Sequence, residues 1–164
     1  MASDPKIPRQ DRFTLRPVEL PDDADFLRDL YCTTRYDVEG VFPDESLKRN
    51  FLMMQHEAQM AGYAEQFPRA SHDIIELDGE AIGRIMVDRN PDSIRCVDLS
   101  LLPASRGSGI GTSLLKALLS ECSDKGVPCL LKVLMTSRAL ALYERLGFRV
   151  EGNDGIRFSM RWEG

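Results

Sequence analysis

The sequence predicts a single α+β domain in which helices flank one mixed sheet. Short stretches alternate apolar and polar residues as strands do, and two longer stretches repeat apolar residues with helical spacing. Together the segments follow the order β-α-α-β-β-β-α-β-α-β-β, in which an antiparallel meander leads into a parallel crossover through a helix. With 164 residues, 43% of them hydrophobic, the chain is long enough for one sizeable core. We expect one domain over 1–164, with a flexible polar leader at 1–11.

The N-terminal third is predicted to hold one strand and two helices. Residues 13–18 alternate and form the first strand. Pro21 and the acids after it open a helix that runs to about Arg35, since proline suits the first turn and acids complement the helix dipole. A second helix follows Asp44. One apolar face of that helix is indicated by steps of four, three, four and three between Leu47, Phe51, Met54, Ala58 and Ala61.

Three strands are predicted next, at 73–77, 81–88 and 94–102. Asp78-Gly79 is a strong two-residue hairpin turn between the first two strands, and Asn90-Pro91-Asp92 makes the second turn. The meander ends directly before a run rich in glycine.

The C-terminal part is predicted to continue with a helix at 111–125, which ends at Gly126 as a left-handed cap. An almost wholly apolar strand follows at 127–133. Ser137 is the expected N-cap of a short helix at 137–146, and Gly147 its C-cap. Two closing strands are expected at 148–151 and 156–162.

Composition excludes several kinds of protein. The formal net charge of −5 argues against non-specific binding of nucleic acid. The four cysteines have no metal-ligand spacing, so we expect free thiols and no metal. Neither a signal-peptide core nor an apolar run of membrane-spanning length is found, and we therefore expect a cytoplasmic protein that does not bind a membrane.

The glycine-rich run has the outline of a phosphate-binding turn. A strand ends at Leu102, a turn containing Gly107, Gly109 and Gly111 follows, and then a helix begins. Glycines let the backbone approach a ligand, and a helix start offers unpaired N–H groups with a positive dipole end. Arg106 adds a positive charge suited to phosphate. The alternative is that these glycines only make a tight strand-to-helix turn.

Two other phosphate motifs do not fit this turn. A P-loop ends in Gly-Lys-Ser/Thr, whereas Gly111 is followed by Thr112 and Ser113. A dinucleotide site needs GxGxxG and an acid after the next strand, whereas the spacing here is GxGxG and residues 132–134 contain no acid. The remaining interpretation is a different phosphate ligand.

Two signatures carry a resemblance to a known family. Arg106-x-x-Gly109-x-Gly111, preceded by a strand that ends in Asp98-Leu99-Ser100-Leu101-Leu102-Pro103, resembles the pyrophosphate-binding motif of the GNAT superfamily of N-acetyltransferases. Ala141-Leu142-Tyr143-Glu144-Arg145-Leu146-Gly147-Phe148 is similar to the second GNAT signature, LYxxxGF. The resemblance implies a twisted mixed sheet of about six to seven strands with about four helices, acetyl-CoA as cofactor, and acetyl transfer to a primary amine.

The resemblance also implies which residues bind the cofactor. Leu99, Ser100 and Leu101 would line the pantetheine arm, and the N–H of Leu101 would polarise the acetyl carbonyl. Ser137 stands where the family often has an asparagine that bonds to pantetheine, and a role as helix N-cap explains it equally well. Amides for the pyrophosphate would come, beside Arg106, from Gly107, Ser108, Gly109, Ile110, Gly111 and Thr112.

Tyr143 is the residue that we expect to act in catalysis. Its hydroxyl would donate a proton to the thiolate that leaves when an amine attacks the thioester directly. The alternative is a core aromatic on an amphipathic helix. Asp98 is the candidate base, although pairing with Arg84 or Arg95 explains it as well, and Glu76 with a chain of waters remains open.

The amine acceptor, a small molecule or a peptide, is expected to bind between the two N-terminal helices and the loop at 36–44. Polar and aromatic side chains there are Tyr31, Arg35, Gln55, Gln59 and Tyr63, although such residues are more often ordinary surface or boundary residues. A catalytically silent acyl-CoA-binding module is the alternative function. Edge strands near the C-terminus offer a route to a homodimer.

Overall fold

The computed structural model describes residues 13–164, and the predicted leader at 1–11 lies outside them. Seven strands form one sheet with the order β1-β2-β3-β4-β5-β7-β6. The strands are β1 (Phe13–Pro17), β2 (Ser71–Leu77), β3 (Glu80–Arg89), β4 (Ile94–Leu101), β5 (Cys129–Leu134), β6 (Arg149–Asn153) and β7 (Arg157–Trp162). The helices are α1 (Ala24–Cys32), α2 (Glu45–Gln66), α3 (Ile110–Lys125) and α4 (Leu140–Arg145).

The predicted order of elements is confirmed. The described residues form one mixed sheet of seven strands and four α-helices outside it. Among the strands of residues 13–164, only β4 and β5 run parallel, joined by the crossover through α3, and every other neighbouring pair is antiparallel. None of the helices within residues 13–164 is long and apolar enough to cross a membrane. All four cysteines are free, as predicted.

The main core lies between the sheet and α3. Leu115, Leu118 and Cys122 of the predicted apolar face are buried against strands from β2 to β7. The helix ends as the sequence predicts, because Gly126 adopts a left-handed conformation with φ of +65°. This packing holds the start of α3 beside the end of β4.

Two helices are shorter than predicted. α1 ends at Cys32 rather than near Arg35, where the hydroxyls of Thr33 and Thr34 donate to the carbonyls of Leu30 and Tyr31 at 2.7 Å each. α4 begins at Leu140 rather than Ser137, because the Ser137 hydroxyl accepts from the amide of Ala139 at 3.1 Å and forms a turn before the helix. In both places a hydroxyl bonds to nearby backbone outside the regular helix.

The predicted helix after Asp44 is confirmed as α2, but its apolar face is not the side that packs against the sheet. Leu47 and Met54 are 50% and 59% exposed, whereas Leu52 and His56, on the opposite side of the helix, are buried. The sheet surface beneath α2 carries the buried Arg84, which needs polar partners that this side of the helix supplies. Hydrophobic spacing alone cannot show which of two faces packs inward.

Candidate active site

The parallel strands β4 and β5 separate near their middle. They pair only at Ile94–Cys129, Arg95–Leu130 and Cys96–Leu131. A β-bulge follows at once, since Cys96 lies opposite Val87 and Asp98 opposite Met86, with Val97 as the extra residue. From Val97 onward, β4 has no neighbouring strand on its β5 side within the described chain, and a gap opens there.

The backbone of β4 presents its polar groups to this gap. The amide of Leu102 donates to the carbonyl of Ile82 at 2.7 Å, so in the antiparallel ladder the amide of Ser100 faces β3. The N–H and C=O groups of Leu99 and Leu101 therefore point away from β3, towards the gap. Of the residues predicted to line an extended ligand, Leu99 and Leu101 offer backbone groups and Ser100 does not.

The glycine turn follows directly at the end of the gap. Gly107 and Gly109 have φ of +71° and +86°, which favour glycine, and a Cβ atom on Gly107 would meet nothing within 4 Å. The first helical bond of α3 runs from the amide of Ser113 to the carbonyl of Gly109 at 2.9 Å. No amide from Gly107 to Thr112 donates to another described residue, and the first turn contains no acid. The turn is suited to bind an anion.

Arg106 holds the turn in place through bonds within the chain. Its Nε donates to the carbonyl oxygen of Leu101 at 2.9 Å, and its Nη2 to Thr33 Oγ1 at 3.2 Å. Its Nη1 donates to the Tyr36 hydroxyl. The Tyr36 ring lies between two guanidinium groups, with Cζ of Arg106 at 5.7 Å and Cζ of Arg138 at 5.8 Å from the ring centroid.

Tyr143 lies on α4 and is half-buried. Its ring packs edge-to-face on Phe148, with the ring centroids 5.8 Å apart. Burial raises the pKa of the Tyr143 hydroxyl above its usual value, and Cys96 and Asp98 of β4 add to the shift. The hydroxyl therefore stays protonated at neutral pH. It makes no hydrogen bond to any residue from 13 to 164.

Asp98 belongs to a polar cluster on the α2 side of the sheet. Arg84, only 3% exposed, donates from Nη2 to Asp98 Oδ2 at 2.6 Å and to Gln59 Oε1 at 2.9 Å. The Ser100 hydroxyl donates to Asp98 Oδ1 at 2.8 Å, and the Tyr63 hydroxyl lies 3.5 Å from Oδ2. Of the two explanations that the sequence left open, the ion pair with Arg84 is therefore present.

Two histidines lie near the same buried arginine. His56 Nδ1 and His72 Nε2 are buried and have no hydrogen-bond partner among the described residues. Burial, with the positive charge of Arg84, lowers the pKa of both, that of His72 to about 4. Both rings are therefore neutral at physiological pH.

The residues predicted for the acceptor are not brought together. Tyr31 is buried against His56 between α1 and α2, and Arg35 donates to its hydroxyl at 2.6 Å. Arg35 also holds both carboxylate oxygens of Asp37 at 2.8 Å. Gln55 is half-buried on α2. Gln59 and Tyr63 reach the cluster around Asp98 and Arg84, which they join from the core-facing side of α2.

Sequence reasoning missed two parts of this arrangement. Met60, whose sulfur lies 3.0 Å from Arg84 Nη1, completes the surroundings of Arg84 beside Gln59. The single charge of Arg84 inside the apolar stretch 81–87 was the available signal for a buried partner. The position of Tyr36 between two arginines has no signal in the sequence, because its partners lie far along the chain.

Comparisons with known proteins agree with this geometry. The model of the acetyltransferase (GNAT) domain matches residues 68–150. The PaiA N-acetyltransferase from Thermoplasma acidophilum, solved in complex with coenzyme A, has a TM-score of 0.69 at 19% identity, over 93% of this chain and 99% of its own.

Two further solved structures share the fold. A GNAT family acetyltransferase from Elizabethkingia anophelis with acetyl-CoA bound has a TM-score of 0.59 at 16% identity, over 94% of this chain and 99% of its own. The ribosomal-protein-S18-alanine N-acetyltransferase from Escherichia coli also has a TM-score of 0.59, at 18% identity, over 92% and 93%. No curated protein sequence matches the chain.

Proposed function

The chain belongs to the GNAT family of acetyltransferases, and from this premise we propose that it transfers an acetyl group from acetyl-CoA to a primary amine by direct attack. The observation that carries the proposal is the backbone edge of β4 at Leu99 and Leu101, which no strand of the described chain covers and which leads to the unpartnered amides of the glycine turn. On this edge the Leu101 carbonyl accepts from Arg106. An extended chain with an anionic end matches both features. A catalytically silent binding module is not favoured, because the family is one of acetyltransferases.

The residues present fit acetyl-CoA. The amides from Gly107 to Thr112, at a helix end that no acid neutralises, suit the pyrophosphate. Leu99 and Leu101 suit the amide groups of the pantetheine arm, which would add to β4 as an extra strand. When bound, acetyl-CoA supplies the activated thioester. Arg106 contributes by holding the glycine turn in place. The Ser137 hydroxyl already accepts from the amide of Ala139, so Ser137 offers the cofactor one hydrogen bond at most.

Tyr143 is proposed to act on the leaving sulfur. The usual tyrosine pKa is 10.0 and burial raises that of Tyr143 further, whereas a free thiol titrates near ~8.5. Complete transfer of its proton to a thiolate is therefore uphill by at least about 2 kcal/mol. Tyr143 contributes instead by donating a hydrogen bond as negative charge develops, and its free hydroxyl is available to do so.

Asp98 is proposed as the group that assists loss of the amine proton. Its Oδ2 is held by Arg84, so this role rests on Oδ1, which accepts only from Ser100. Glu76 is a poorer candidate because its carboxylate bonds to Arg16.

Release of free thiol from acetyl-CoA, measured across a panel of amines, tests the proposal. The panel should hold small amines and peptides with a free N-terminus or lysine, since one structural neighbour is named for an alanine of a ribosomal protein. We expect Tyr143→Phe to lower kcat by about 100-fold with little change in KM for acetyl-CoA. Tyr31→Phe removes a buried hydroxyl elsewhere and is the matched control.

Two outcomes would contradict this assignment in different ways. Calorimetric binding of coenzyme A without turnover of any amine would refute transfer but keep the cofactor site. A Tyr143→Phe variant as active as Tyr31→Phe would refute the role of the tyrosine alone.

A further inference from the structure

Helix α2 has a second apolar face that points away from the sheet. We call it the outer stripe, and it consists of Leu47, Phe51, Met54, Ala58 and Ala61. Leu47, Met54, Ala58 and Ala61 are exposed. Phe51 is half-buried, and its ring packs against Phe42 with the ring centroids 5.1 Å apart. The stripe lies opposite the buried side that carries Leu52 and His56. An apolar stripe on the outer side of a surface helix is unusual, since that side is normally polar.

The spacing of the outer stripe is that of a coiled-coil seam. Steps of four, three, four and three continue by four more to Glu65, which gives a period of 3.5 residues over about 27 Å of helix. A narrow seam with this period is complementary to another helix rather than to a sheet or a small ligand. The outer stripe therefore fits a helical partner.

The sizes of the side chains indicate which helix that is. The bulky Leu47, Phe51 and Met54 fill the first half of the stripe, and the small Ala58 and Ala61 fill the second. An antiparallel copy of the same stripe places Phe51 against Ala61 and Met54 against Ala58, whereas a parallel copy places alanine against alanine and leaves voids.

The charges agree with the antiparallel arrangement. Glu65, at the C-terminal end of the stripe, would lie beside Leu47 and Lys48 of a second copy. The Lys48 ammonium donates one hydrogen bond to Glu39 at 2.8 Å, and it has two further N–H groups that can donate to Glu65. A parallel arrangement would instead bring the two Glu65 side chains together, which is unfavourable.

We propose that the outer stripe pairs antiparallel with the outer stripe of a second copy of this chain, as a two-fold symmetric homodimer. Phe51 then meets Ala61 of the second copy, and Met54 meets Ala58. Such an interface is self-complementary and closes with two chains. The inward side of α2 carries Gln59 and Tyr63 of the polar cluster. The dimer contact would therefore stabilise the helix next to each candidate site, and neither copy would contribute residues to the site of the other.

A contact between two helices of this length is smaller than the roughly 1,200–2,000 Å² of a typical stable interface. The dissociation constant is therefore expected in the micromolar range, and the measurement must cover protein concentrations from about 1 to 500 μM. Sedimentation equilibrium over this range should show a reversible monomer–dimer equilibrium.

Two matched variants on α2 test where the contact lies. Ala58→Glu places a charge in the outer stripe, and Ala64→Glu makes the same change at an exposed alanine about 120° from Ala58 around the helix. We expect Ala58→Glu to weaken the dimer at least tenfold and Ala64→Glu to leave it unchanged. A wild-type protein that stays monomeric throughout, or a dimer that survives Ala58→Glu, overturns the proposal.

Cysteine cross-linking tests the direction in a Cys32→Ser background. Mixed Met54→Cys and Ala58→Cys copies should form a disulfide under mild oxidation, while Ala61→Cys copies should not link to each other. The reverse pattern would indicate a parallel pair and overturn the antiparallel arrangement. Circular dichroism confirms that each variant is folded before it is scored.

Discussion

Replacing Arg84 by methionine should destabilise the protein far more than replacing an arginine at the surface. Arg84 is 3% exposed and Asp98 14%, and the guanidinium also bonds to Gln59. Arg84→Met keeps the apolar length of the side chain but leaves the Asp98 carboxylate buried without its counter-ion. Breaking a buried pair in this way costs about 3–5 kcal/mol.

An exposed ion pair in the same sheet is the matched control. Arg161 and Glu151 are bonded at 2.8 Å but are 38% and 44% exposed, so Arg161→Met should cost under about 1 kcal/mol. The double variant Arg84→Met/Asp98→Leu removes both charges and should recover most of the loss, because no unpaired charge remains.

Urea unfolding followed by circular dichroism measures these differences. In a domain of this size, about 3–5 kcal/mol corresponds to a fall in Tm of roughly 6–20 °C. The reasoning is refuted if Arg84→Met costs less than 1 kcal/mol, or if the effects of Arg84→Met and Asp98→Leu simply add.

Two further predictions concern acid stability and the glycine turn. Burial lowers the pKa of His72 to about 4, against 6.5 in the unfolded chain, so the unfolded state binds more protons between these values. The free energy of unfolding should therefore fall as the pH falls from 6.5 to 4, by up to about 1.4 kcal/mol per pH unit, and a His72→Phe variant with the same slope would contradict this. Gly109→Ala and Gly126→Ala both force alanine to a positive φ, +86° and +65°, and each should cost about 1 kcal/mol of stability. Only Gly109→Ala should also weaken coenzyme A binding measured by calorimetry, and equal affinities for the two variants would count against the turn as the pyrophosphate site.

The parts of the fold that depend on neighbouring residues were predictable. Asp78-Gly79 forms the expected hairpin turn with φ of +53° and +83° at its two residues. Asp44 caps α2 by accepting from the amide of Leu47 at 2.9 Å. These features need only a residue that tolerates the backbone conformation or supplies a bond a few positions away, and the sequence shows both directly.

Pairings across the fold were harder to predict. Asp98 was open between a base role and a partner for Arg84 or Arg95, since strand periodicity does not show how a bulge shifts the faces of β4. The acceptor residues were harder still, because Tyr31 and Arg35 bond to each other between α1 and α2.

The sequence by itself determined the order of elements, the glycine turn between β4 and α3, and the signature around Tyr143, since each is read from adjacent residues. Only the tertiary structure decided how α2 is turned about its axis and what Arg106 bonds to. Its partners Thr33 and Tyr36 are about 70 residues away, and the spacing of apolar residues in α2 does not show which side of the helix faces the sheet. The buried Arg84 needs polar partners, and the side of α2 that faces it supplies them through Gln59. The apolar outer stripe is therefore on the opposite side and is exposed.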